Sequence, residues 1–61
     1  MTPKKLFEIF KENFNWFIPH VVKFTSNRAD GGIDISLDTG EILNFTVENN
    51  RNKRSWILKR K

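Results

Sequence analysis

Apolar residues recur early in the chain at Leu6, Phe7, Ile9, Phe10, Phe14 and Phe17. That is close to the i, i+3, i+4, i+7 spacing of one helical face. Lys4, Lys5, Glu8, Lys11, Glu12 and Asn15 fall on the opposite side. Thr2 suits the N-cap, and Pro3 suits the first helical position, where a missing N–H is no loss. The spacing predicts an amphipathic helix over residues 3–15. Pro19 disfavours helical geometry at Ile18, so residues 16–18 are expected to form a turn closing over the core.

After Pro19 the apolar period drops from about 3.6 residues to 2, and strands are predicted at about 21–26, 33–38, 41–48 and 54–59. The clearest signal is Ile33, Ile35 and Leu37 alternating with Asp34, Ser36 and Asp38. A loop of turn formers, residues 27–32, precedes it. Asp38-Thr39-Gly40 has the chemistry of a three-residue hairpin with a bulge, glycine taking the left-handed position. Pairing Ile33 with Phe45 and Ile35 with Leu43 then keeps the large apolar groups on one face. A four-residue loop at residues 50–53 pairs Val47 with Trp56 and Phe45 with Leu58, whereas a one-residue slip sets Trp56 against Thr46. The fold class expected is α+β: one N-terminal amphipathic helix packed on a three- to four-stranded antiparallel β-meander, with residues 1–61 as one domain.

A chain of 61 residues buries only about 60% of its unfolded surface. It has no cysteine, so neither a disulfide nor a thiolate zinc site can staple it. Six Phe and two Trp supply the core instead, because aromatics bury the most area per residue. A partner or a homo-oligomer is compatible with a domain this small. No apolar run nears the roughly 18–20 residues that span a bilayer. Met1-Thr2-Pro3-Lys4-Lys5 is not followed by a signal-type segment. The expectation is an intracellular, cytoplasmic protein, in the host cytoplasm for a viral source.

Catalytic chemistry is thinly represented. There is one histidine, His20, and no cysteine or tyrosine, and nothing in the pattern supplies a Ser-His-acid or Cys-His arrangement. Asp34 and Asp38, with Glu48 on the neighbouring strand, have a spacing that could serve a hard cation, but acids alternating with apolar residues are also what a wet sheet face requires. Residues 29–35, Ala-Asp-Gly-Gly-Ile-Asp-Ile, resemble the metal-binding strand of restriction-type nucleases. That resemblance implies a Glu-x-Lys on the next strand, where this chain has Glu48-Asn49-Asn50; the lysine is missing. No enzyme activity, metal or cofactor is therefore expected.

Charge changes the picture most. Residues 1–50 carry five basic and seven acidic groups, a net of −2, while residues 51–61 carry six basic groups and no acid, a net of +6, giving +4 for the whole chain. Two readings fit this strip. Arg51, Lys53, Arg54, Lys59, Arg60 and Lys61 are an electrostatic footprint for nucleic acid or another polyanion, or they solubilise an edge strand against aggregation. Trp56 and Leu58 should anchor the strip as the last strand, leaving Ile57 outward near Ile42. The function expected is a small non-enzymatic, nucleic-acid-associated binding protein. The alternative is a compact phage- or plasmid-type interaction module or inhibitor that docks on a larger, nucleic-acid-handling host protein through Asp34, Asp38, Ile42 and Ile57.

Overall fold

Thr2 caps the helix as its position predicts: its Oγ1 accepts a hydrogen bond from the Lys5 amide at 3.2 Å, in a computed structural model that describes residues 2–61. Helix α1 runs Pro3–Asn13, two residues short of the expected 3–15. Phe14 leaves helical geometry (φ −132°, ψ 50°) while its N–H still reaches the Phe10 carbonyl at 2.8 Å. The Asn13 side-chain amide folds back to donate to the Ile9 carbonyl at 2.8 Å, adding a second donor to the last turn.

The chain then winds into a 3-10 helix, Asn15–His20, with Pro19 inside it. This corrects the expected short turn over residues 16–18. The fixed φ of proline, near −65°, matches 3-10 geometry, so Pro19 is accommodated inside this winding rather than extending the chain at once. Phe17 and Ile18 pack against the core, whereas Trp16 is 62% exposed.

Four strands follow: β1 Val21–Asn27, β2 Gly32–Leu37, β3 Ile42–Asn50 and β4 Lys53–Arg60. They pair antiparallel in the order β1-β2-β3-β4, so the protein is α+β, with an N-terminal helix followed by a four-stranded meander. The register is the one the apolar pattern demands: Ile33 opposite Phe45, Ile35 opposite Leu43, Phe45 opposite Leu58 and Val47 opposite Trp56.

The β2–β3 and β3–β4 hairpins show how register and turn are linked. At the first, Gly40 takes φ +91°. The Leu37 carbonyl accepts from the Gly40 amide at 3.1 Å, and the Leu37 N–H donates to Glu41 at 2.9 Å. This is the bulged three-residue turn expected. Strand β2 stops at Leu37 because the Asp38 N–H turns instead to the His20 carbonyl, 2.8 Å away. At the second hairpin the expected four-residue loop is a two-residue turn. Arg51 and Asn52 both take positive φ (42° and 71°), and the strands continue until Asn50 pairs with Lys53. Either loop preserves the same pairing, which is why the register survives the correction.

The core comprises Leu6 and Phe10 from α1, Ile33, Ile35 and Leu37 from β2, and Leu43 and Phe45 from β3. Phe10 is the hub. Its ring lies 5.6 Å from both Phe14 and Phe45 and 6.0 Å from both Phe7 and Phe17. Full burial of each such side chain contributes about 1.5–3 kcal/mol. Helix α1 packs on β1, β2 and β3, so Trp56 and Leu58 of β4 sit half-buried at the margin. Among the described residues, no helix is long and apolar enough to cross a membrane.

Candidate functional site

The strand pairings do not end together. β2 pairs with β3 from Ser36–Ile42 to Ile33–Phe45, whereas β3 and β4 stay paired from Leu43–Arg60 out to Asn50–Lys53. Beyond Phe45 the two strands have lost their neighbour and continue as a ribbon, residues 46–57. Gly32 marks the departure. A Cβ there would run into the Phe45 carbonyl and the Thr46 methyl, so only glycine lets β2 approach this closely before Gly31, at φ +74°, turns the chain away. Five residue pairs at about 3.4 Å each carry the ribbon roughly 17 Å past the sheet. The molecule is accordingly elongated, at 36 × 23 × 19 Å.

The root of this arm is apolar and fixed. Trp56 stacks on Phe45 with ring centroids 6.0 Å apart and 18° between planes, and Val47 stands opposite Trp56. Past the root every residue from Glu48 to Ser55 is exposed. Alternation along a strand divides them. Asn49 and Arg54, paired across the ribbon, share the helix-side face with Val47 and Trp56, while Glu48, Asn50, Lys53 and Ser55 share the outward face. The Asn50 amide donates to Glu48 Oε1 at 3.3 Å.

The six basic residues expected to form one strip are split by this geometry. Arg51 is in the turn, Lys53 and Arg54 are the first pairs of the arm, and Lys59 lies opposite Asn44 on the sheet proper. Arg60 places its Nε 3.3 Å from Glu41 Oε2, and Lys61 places its Nζ 2.7 Å from Asp34 Oδ2. Among the described residues Arg51, Lys53, Arg54 and Lys59 make no ion pair. Lys61 is not a loose end: its backbone N–H donates to the Ile42 carbonyl at 2.8 Å, prolonging the β4 edge.

The expected contact residues are also dispersed. Asp34 is the centre of a polar network on the outward face, taking hydrogen bonds from Asn27 (3.2 Å), Asn44 (3.1 Å) and Lys61 (2.7 Å). Asn44, itself buried, also donates to Asp30 at 2.8 Å. The Lys61 ammonium beside Asp34 holds its carboxyl below the usual aspartate range, against the opposing effect of desolvation and with help from the two amides. Asp38 lies off the strand, in the hairpin turn, 3.3 Å from His20 Nδ1. Ile42 is exposed and Ile57 half-buried, with the Asn44–Lys59 pair between them. Among the described residues, no group of three or more His, Asp or Glu side chains is placed to hold a metal ion.

Sequence reasoning points to the Asn49–Arg54 loop but singles out only its cations, not Asn49, Asn50 and Asn52, which share the arm with them. The signal was present in Glu48–Arg54, a run dense in amide and guanidinium groups. Comparison with known protein families, curated proteins and solved structures finds no match to this chain.

Proposed function

We propose that this protein is a non-enzymatic, nucleic-acid-associated binding protein that engages its polyanion through the β3–β4 arm. One observation carries the reading. Of the six basic residues in 51–61, the three on the projecting hairpin, Arg51, Lys53 and Arg54, have no acidic partner among the described residues. Nor has Lys59 on the sheet, while Arg60 and Lys61, nearest the sheet's acids, are paired. A guard against edge aggregation needs charge along β4. It does not need a ribbon that carries that charge about 17 Å beyond the sheet. In this reading the protein works in the cytoplasm, that of the host if its source is viral.

A second reading, a phage- or plasmid-type module docking on a larger host protein, is favoured by a different edge. β1 leaves Val22 65% exposed beside Phe7 and Phe24, whose rings stack at 4.2 Å. Capture from lysate with and without nuclease separates the two readings. Recovery of nucleic acid, abolished by nuclease, is the expected result. A stoichiometric protein partner that survives nuclease would replace the first reading with the second.

A further inference from the structure

The arm has dimensions and chemistry that go beyond a generic cationic patch. We infer that it is a two-stranded reader of duplex DNA, entering the major groove with Asn49 and Arg54 toward the base edges. This rests on the nucleic-acid reading above and narrows it to one form of nucleic acid and one groove.

The dimensions fit. A major groove is roughly 12 Å wide and 8.5 Å deep and admits a two-stranded ribbon. Paired strands stand about 4.8 Å apart, which leaves room for side chains on both sides. The arm projects past the sheet, so it can lie along the groove floor without the body of the protein entering. The minor groove, roughly 6 Å wide, is too narrow for the same ribbon. Duplex RNA closes its major groove to side chains.

The chemistry of the tip selects base edges over base faces. Single-strand binders stack bases on aromatic rings, and from Glu48 to Ser55 the arm has none. Its one aromatic, Trp56, lies at the root with its ring stacked against Phe45. What the tip presents is three amides and three cations, Asn49, Asn50, Arg51, Asn52, Lys53 and Arg54. Asparagine pairs in bidentate fashion with adenine, and arginine with guanine.

The charge distribution selects the face. Glu48 lies on the outward face and engages Asn50 there, and Asp30 and Asp34 occupy the same side nearer the sheet. Asn49 and Arg54 share the opposite face, on which the arm carries no acid. Arg51 and Asn52, at the turn that ends the ribbon, clasp the flanking phosphates.

Anisotropy titrations of the whole chain against DNA duplex, the matching single strand and the matching RNA duplex test the inference. The expected result is DNA duplex preferred by about tenfold or more, with displacement by a major-groove dye such as methyl green and none by the minor-groove ligand netropsin. Equal or tighter binding of single strand or RNA duplex, or competition by netropsin, overturns the groove assignment while leaving polyanion binding intact. Binding to none of the three overturns both.

The double substitution Asn49→Ala, Arg54→Lys preserves the charge of an exposed tip, and circular dichroism verifies its fold. It should lose the spread of affinities among individual duplexes, with the tightest-bound duplex weakened most. An unchanged spread removes these two residues as readers.

Discussion

Lys61 Nζ lies 2.7 Å from Asp34 Oδ2, joining the last residue of the chain to the centre of the β2 outward face. Asp34 is thereby held in its charged form, its pKa depressed first by the Lys61 hydrogen bond and further by Asn27 and Asn44. A carboxyl with a depressed folded-state pKa contributes stability that is complete above its unfolded value, near 3.9, and is lost as pH falls through the folded value. Urea midpoints measured from neutral pH down into that acid range should fall for the parent protein. They should fall less for Lys61→Met, which removes the ammonium and keeps the stem. Identical pH profiles would show that the pair is not coupled to folding.

Arg51 occupies a left-handed position, φ +42°, at the first site of a two-residue turn where Asn or Gly is the preferred choice. Arginine there is strained by about 1–2 kcal/mol, a cost that the proposed phosphate contact at the tip would offset in function. Arg51→Asn should therefore raise the melting temperature and weaken nucleic-acid binding together. A variant that loses stability, or gains it with unchanged binding, contradicts this role.

Gly32 admits no side chain, because backbone and methyl atoms of Phe45 and Thr46 fill the space where a Cβ would sit. Gly32→Ala should destabilise the protein by about 1–3 kcal/mol, the usual range for overpacking. For a domain of this size each kcal/mol lowers the melting temperature by about 4–8 °C. Calorimetry reads the shift directly, and an unshifted melt would mean that β2 does not approach β3 this closely.

Most of the architecture was readable from alternation alone. Ile33, Ile35, Leu43, Phe45, Val47, Trp56 and Leu58 admit one register that puts them together, and the protein adopts it. What was not readable depended on backbone detail that composition does not encode. The helix end at Asn13 is set by the conformation of Phe14. The tight Arg51-Asn52 turn lacks the glycine that normally announces one. The arm exists because β2 begins at Gly32 while β3 and β4 run on, and Asn50-Arg51-Asn52-Lys53 reads equally well as a longer loop. The basic strip was visible as composition. Its division into free and neutralised cations required Glu41 and Asp34 to be placed beside Arg60 and Lys61.

That division makes a comparison between like substitutions informative. Arg54, on the arm, has no acidic partner among the described residues, whereas Arg60 faces Glu41 near the other end of β4. Arg54→Ala should weaken binding to a DNA duplex several-fold, and Arg60→Ala should leave it nearly unchanged. Both side chains are exposed, so neither change should alter stability by more than about 0.5 kcal/mol. Equal losses in the two variants would restore the undivided strip.

The salt dependence of duplex binding is the most direct test of the central claim that the free cations of the hairpin carry the interaction. Each phosphate neutralised contributes about −0.9 to the slope of log affinity against log salt, so three contacts, from Arg51 and Lys53 on the hairpin and Lys59 on the adjoining sheet, predict a slope of about −2.7, with Arg54 directed to the bases. Substituting Arg51, Lys53 and Arg54 together by alanine should flatten it to about −0.9. A slope near zero for the parent protein, or one that the triple substitution leaves unchanged, would contradict that claim.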